Sequence, residues 1–163
     1  MSRKKGIYEK YIKRAFDILC SLSVIILFWW LYGIVAIMVR VKLGSPVLFT
    51  QLRPGMVDKK TGREKIFKMY KFRTMTDQKD ESGNLLPDEV RLTKFGAWLR
   101  STSLDELPEI FNILKGDMSI IGPRPALWNQ YDLIAERDKY GANDVLPGLT
   151  GWAQINGRDE LEI

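Results

Sequence analysis

Between Asp17 and Arg40 the chain runs for 22 residues, Ile18 to Val39, without a charged side chain. As an α-helix at ~1.5 Å per residue this run is about 33 Å long. That is enough to cross a hydrocarbon core of about 30 Å. A buried core helix is the plainer alternative, but helices of soluble domains seldom stay uncharged on every face over such a length. A cleaved signal sequence fits poorly: the run is too long, and it is followed by Val39-Arg40-Val41-Lys42 rather than a small-x-small site. Lys13 and Arg14 flank the run on one side, Arg40 and Lys42 on the other. Flanking positive charge is retained on the cytoplasmic side. A single pass satisfies one end only, so the expected element dips into the membrane and returns. No proline is available to break it; Gly33, Ser21 and Ser23 are the weak points. Trp29, Trp30 and Tyr32 sit at its centre, although such side chains prefer the headgroup level.

At 163 residues the chain has room for one domain. Its 25 Lys and Arg against 20 Asp and Glu leave a net charge of +5. The first 14 residues account for all of it, with six cations and one anion (Glu9), and the remainder balances at 19 against 19. This is a near-neutral body with a basic N-terminal arm, not a nucleic-acid binder. Histidine is absent and Cys20 is the one cysteine. Ser-His-Asp and Cys-His catalysis, His-containing metal sites, disulfide frameworks and cysteine zinc clusters are therefore excluded. Acid–base or nucleophilic chemistry must come from Asp, Glu, Lys, Tyr, Ser or Thr. A metal, if used, is a hard one held by oxygen, Mg²⁺ or Mn²⁺.

Beyond Gly44-Ser45-Pro46, the pattern predicts a strand at 47–51, turn chemistry at Arg53-Pro54-Gly55 and 58–62, and a second strand at 65–75 completing a hairpin. The second strand interleaves Lys65, Lys68, Lys71 and Arg73 with Phe67, Tyr70 and Phe72. It reads either as a sheet face with solvated lysines or as a surface for phosphates or lipid headgroups. Residues 77–88 read as a loop. Helices are expected at 89–100, 104–114 and 126–140, with a short buried strand at 118–121 and a last strand at 149–154.

The densest chemistry lies at Arg100-Ser101-Thr102-Ser103-Leu104-Asp105-Glu106-Leu107-Pro108. Two adjacent carboxylates open a helix here, and a helix N-terminus favours anions, including phosphates. Ser103-x-x-Glu106 also reads as a capping box, with Glu106 folded back on the cap. That reading leaves Asp105 over. Asp, Glu and Arg form a working phosphoryl-transfer set: one carboxylate as nucleophile, the other on Mg²⁺, and the arginine clamping phosphate oxygens. Gly122-Pro123-Arg124-Pro125 is the second candidate, either a rigid turn with a solvated arginine or an arginine whose fixed backbone lowers the entropy lost on use. No P-loop or Rossmann glycine pattern is present.

These stretches, with Lys13-Arg14-Ala15-Phe16-Asp17, Phe49-Thr50-Gln51-x-Arg53-Pro54-Gly55, Phe67–Met75, Asn112–Pro125 and Pro147–Gln154, run in order over nearly the whole chain. The chain resembles the bacterial sugar transferases, the small monotopic phosphoglycosyl transferases. The resemblance implies transfer of a sugar-1-phosphate from a UDP-sugar to a polyprenyl (undecaprenyl) phosphate at the inner face of the bacterial cytoplasmic membrane. The products are UMP and a polyprenyl diphosphate sugar, in a first step of surface glycan assembly. It further implies a ping-pong mechanism in which Asp105 forms a phosphosugar–enzyme intermediate and Glu106 helps to hold Mg²⁺. Arg100 would bind phosphate, and Arg124, between Pro123 and Pro125, would contact the nucleotide. Lys71 and Arg73 join these as expected substrate-binding residues. Where family members break the membrane helix with Ser-Pro, this chain has Trp29-Trp30.

The expected fold is α+β: a small antiparallel sheet, surrounding helices and one membrane-embedded, re-entrant helix. Residues 1–43 are expected to be the arm and membrane helix, and 44–163 a cytoplasmic catalytic domain lacking the family's C-terminal part. UDP-sugar, polyprenyl phosphate and membrane lipid are the expected partners, with room for a homo-oligomer. A membrane-anchored lipid- or partner-binding module without turnover is the alternative, with the basic arm on anionic lipid.

Overall fold

The computed structural model describes residues 6–58, 61–127 and 129–156. Arg3, Lys4 and Lys5 of the basic arm, and the terminal residues 157–163, lie outside the described residues. The fold is mixed helix and sheet, with a small antiparallel sheet and one long apolar helix near the N-terminus, as expected.

The apolar run forms helix α1, Lys13–Leu43, preceded by a π-helical turn at Tyr8–Ile12. Only 11 % of its most apolar window is buried, and Leu19, Ile26, Leu27, Trp29 and Ile37 are exposed. A soluble core helix would be covered; this one is long and apolar enough to cross a membrane. Phe28 leaves helical geometry, at φ −117° and ψ 16°. The deviation falls directly before Trp29-Trp30, while Ser21, Ser23 and Gly33 remain helical. A break exposes backbone carbonyls that an apolar medium cannot satisfy. Trp30 meets that need: its indole Nε1 donates to the Leu27 carbonyl at 3.1 Å.

Strands β1 (Leu48–Asp58) and β2 (Arg63–Phe72) form the expected hairpin. Arg53-Pro54-Gly55 lies within β1 rather than in a turn. In a two-stranded sheet the missing N–H of Pro54 is tolerated. Gly55 is required by close approach, since a Cβ there would stand 2.8 Å from the Lys65 carbonyl oxygen.

The chain divides into two compact units, to which α1, β1 and β2 each contribute residues. The first comprises 1–25, 51–69 and 109–163. It holds α4 (Glu109–Lys115), β3 (Ser119–Ile121), α5 (Tyr131–Lys139), β4 (Gly148–Thr150) and α6 (Trp152–Ile155). β3 and β4 pair in parallel, Ser119 with Gly148 and Ile121 with Thr150. The backbones of Gly122 and Gly148 approach so closely that a Cβ on either would collide with the other. The start of α1 is bound tightly in this unit. Lys13 Nζ donates to the Ile121 carbonyl at 2.8 Å. The Arg14 guanidinium donates to the Ile113 and Leu114 carbonyls, caps for the end of α4. Asp17, buried, accepts from Ser119 Oγ at 3.1 Å and from the Ile120 amide at 3.0 Å.

The second unit comprises 26–50 and 70–108, with α2 (Asp88–Arg91) and α3 (Lys94–Ser101). Its core is Val35 and Val39 of α1 with Phe72 and Leu99, flanked by Leu31, Tyr32, Phe95, Leu104 and Leu107. The helix expected at 89–100 is two helices. Leu92 pairs in a bridge with Met75, and Thr93 starts α3 by accepting from the Gly96 amide at 3.0 Å. The helix expected at 104–114 is a 3₁₀ turn, Leu104–Glu106, followed after Pro108 by α4. The helix expected at 126–140 is confined to α5. The strand expected at 149–154 ends at Thr150, where α6 follows Gly151.

Candidate functional site

In the second unit, Asp105 and Glu106 sit on the 3₁₀ turn between two leucines of the core, Leu104 and Leu107. Ser103, before them, adopts the left-handed conformation (φ 56°, ψ 16°), the one described non-glycine residue with positive φ. Its side chain makes no cap bond. The capping-box reading is thereby overturned: a Ser in this conformation cannot direct its hydroxyl to the N3 amide as a β-region cap does. A left-handed non-glycine residue costs about 1–2 kcal/mol, and the structure carries that cost directly beside its two carboxylates.

Lys71 from the end of β2 donates to Glu106 Oε1 at 2.7 Å, with both side chains mostly shielded. Arg100, at the end of α3, donates from Nε to Thr74 Oγ1 at 3.1 Å. That bond depends on Gly96, where a Cβ would collide with the Thr74 carbonyl. Asp105 is 6 % exposed. Burial pushes its carboxyl above the ordinary carboxylate range; Lys71 and Arg100 oppose this and Glu106 adds to it. Asp105, Glu106, Lys71 and Arg100 are thus one electrostatic group.

Arg73 is in the same unit with a different set of partners. Its guanidinium donates to the Met75 carbonyl (2.8 Å), the Ser45 carbonyl (2.8 Å) and Asp77 Oδ2 (2.7 Å). Those bonds tie the 73–77 segment to Ser45.

The second candidate, Pro123-Arg124-Pro125, lies in the first unit. Three successive carbonyls of this turn each receive a donor. Gly148 N reaches Pro123 at 2.9 Å, Arg137 NH1 reaches Arg124 at 2.7 Å, and Arg53 NH1 reaches Pro125 at 3.2 Å. A recess beside the turn is lined by Pro54, Gly55, Pro123, Arg124, Pro125 and Arg137. Burial lowers the Arg53 and Arg137 pKa values; Arg124 lowers Arg53 further and Glu109 opposes it. Arg53 Nε is buried without a hydrogen-bond partner among the described residues. Arg124 and Arg137 are the cations that line the recess among the described residues. Sequence reasoning singled out Arg124 but neither Arg53 nor Arg137. The neighbouring Pro-Gly was a signal for Arg53; for Arg137, on a polar helix, there was none.

Among the described residues, no three His, Cys, Asp or Glu side chains converge as a metal cage. Mg²⁺ does not need one: it is held by one or two carboxylates, waters and substrate phosphates. Adjacent Asp105 and Glu106 fit that donor set.

The profile of the bacterial sugar transferases matches residues 8–163, and the chain belongs to that family. It is 51% identical over 156 residues to "Uncharacterized sugar transferase EpsL" of Bacillus subtilis, covering 92% of this chain and 71% of the relative. It is 38% identical over 158 residues to "Undecaprenyl-phosphate glucose phosphotransferase" of Komagataeibacter xylinus, covering 91% of this chain and 29% of the relative. It is 39% identical over 154 residues to the Escherichia coli "UDP-glucose:undecaprenyl-phosphate glucose-1-phosphate transferase", covering 91% and 32%. The chain therefore spans about a third of the length of the last two.

Proposed function

We propose that this chain transfers a sugar-1-phosphate from a UDP-sugar to undecaprenyl phosphate, with Asp105 as nucleophile. The observation that carries the reading is a buried carboxylate on a strained turn, flanked by Glu106, Lys71 and Arg100, in a family whose relatives are named for this transfer. A carboxylate oxygen of Asp105 attacks the sugar-proximal phosphorus. The bond from that phosphorus to the bridging oxygen breaks, and UMP leaves. A phosphate oxygen of the polyprenyl acceptor then attacks the same phosphorus, the bond to Asp105 breaks, and the carboxylate is regenerated. Arg100 and Lys71 bear the negative charge of the phosphoryl oxygens. Glu106 would help to hold Mg²⁺, which would supply further neutralisation of phosphate charge. Arg124, on a turn fixed at three carbonyls, is assigned to the nucleotide.

The membrane helix belongs to the same reading. Its first residues are bound by Lys13, Arg14 and Asp17 to polar chain at 113–121, and its later residues Val35 and Val39 pack on Phe72 and Leu99. Positive residues on both flanks of the apolar segment, Lys13 and Arg14 before it and Arg40 and Lys42 after it, support a helix that enters and returns on the cytoplasmic side. Cysteines at Lys5 and Asp58, in a Cys20→Ser background, are expected to label from the cytoplasm. Periplasmic labelling at residue 5 contradicts the re-entrant reading.

The function is tested by UMP assay of the nanodisc-embedded protein with UDP-sugars, Mg²⁺ and undecaprenyl phosphate. Release is expected from at least one donor and is expected to stop with EDTA. Absence of release with every UDP-sugar would favour the binding module.

A further inference from the structure

We infer that Tyr32, in the apolar helix, is a positioning residue for the Asp105–Glu106 turn, so that the membrane element forms part of the catalytic floor. The inference rests on the reading of Asp105 as nucleophile. Tyr32 Oη donates to the Leu107 carbonyl at 3.1 Å, directly after Glu106. Leu104 and Leu107, on either side of the two carboxylates, pack against the same core that Tyr32 joins with Val35 and Val39. The turn is therefore seated at both ends by apolar contact and pinned at one end by a hydrogen bond. A hydroxyl on an otherwise apolar helix must find a partner once it is out of water, and here it takes backbone of the reactive turn. The left-handed Ser103 lies immediately before that turn, and a residue in this region persists only when its surroundings over-determine it. The seats under Leu104 and Leu107 and the bond from Tyr32 supply that determination. Chemistry depends on this placement, since a misplacement of about 1 Å can cost on the order of 10²-fold in rate.

Tyr32→Phe retains the ring and its packing and removes only the hydroxyl. In the full chain in nanodiscs, kcat for UMP release is expected to fall about 10-fold, with the KM for UDP-sugar unchanged. Val35→Ala serves as the control for packing alone: it removes contact from the same core and should lower the melting temperature while leaving kcat near that of the wild type. Wild-type kcat in Tyr32→Phe would overturn the inference, as would a loss of kcat matched by a rise in KM. So would an equal fall of kcat in Val35→Ala at matched loss of stability. Failure of the underlying reading would look different: activity would survive in Asp105→Asn, whatever Tyr32→Phe does.

Discussion

Asp105→Asn is expected to abolish UMP release while making the protein more resistant to heat. Loss of a nucleophile costs on the order of 10³–10⁶-fold in kcat, and the amide cannot form the covalent phosphosugar. The gain in stability follows from the same burial that tunes the group. The folded-state pKa of Asp105 is raised above its unfolded value. The native protein therefore binds more protons than the unfolded chain between the two values, and stability falls as pH rises through that window. At neutral pH the ionised carboxylate is a net cost to the fold, and a neutral amide of the same shape removes it. For a chain of this size each 1 kcal/mol relieved raises Tm by about 2–4 °C. The comparison is made by thermal melts over a pH series; the advantage of the variant is expected to shrink as pH falls through the raised pKa of Asp105, where the wild-type carboxylate takes up a proton. Lower Tm in Asp105→Asn at pH 7, or retained turnover, would contradict the assignment.

Lys71→Met carries the second large effect. Lys71 is ion-paired to Glu106 at 2.7 Å and holds down the pKa of Asp105. Removing it takes one cation from the phosphoryl site and this partner from Glu106. A fall of about 10²–10³-fold in kcat is expected, the scale of losing one electrostatic stabiliser. The acid limb of kcat/KM, which reports ionisation of Asp105 in the free enzyme, moves to higher pH, because the charge favouring the ionised form is gone. A limb that ignores Lys71 would remove Asp105 from the role.

The candidate pair Asp105 and Glu106 was legible in the sequence because two adjacent carboxylates, preceded by an arginine, exceed what a helix cap requires. Lys71 was legible as one of several interleaved cations, but its selection for Glu106 depends on where the hairpin ends. The capping-box pattern misled because Ser-x-x-Glu is the same string whether the serine has negative or positive φ; Ser103 has 56°. Gly33, Ser21 and Ser23 were the expected weak points of α1, with Trp29-Trp30 at the place of the family's Ser-Pro; the residue that leaves helical geometry is Phe28. There the indole of Trp30 donates to the Leu27 carbonyl, a contact no propensity scale records. Tyr32 with Leu107 and Arg137 with Arg124 were invisible for a simpler reason. Both contacts join separate elements, 75 and 13 residues apart, and neither residue stands in a local pattern that marks it. The hairpin was read from alternation. The parallel pairing of β3 and β4 was not, since three-residue strands carry too little pattern to declare a direction.

The most direct measurement is the mass of the protein after incubation with UDP-sugar and Mg²⁺ in the absence of undecaprenyl phosphate. The account predicts an adduct of one sugar phosphate, located on the peptide containing Asp105, formed with one equivalent of UMP and discharged when the acceptor is added. UMP release that requires the acceptor, with no adduct at any time, would contradict it.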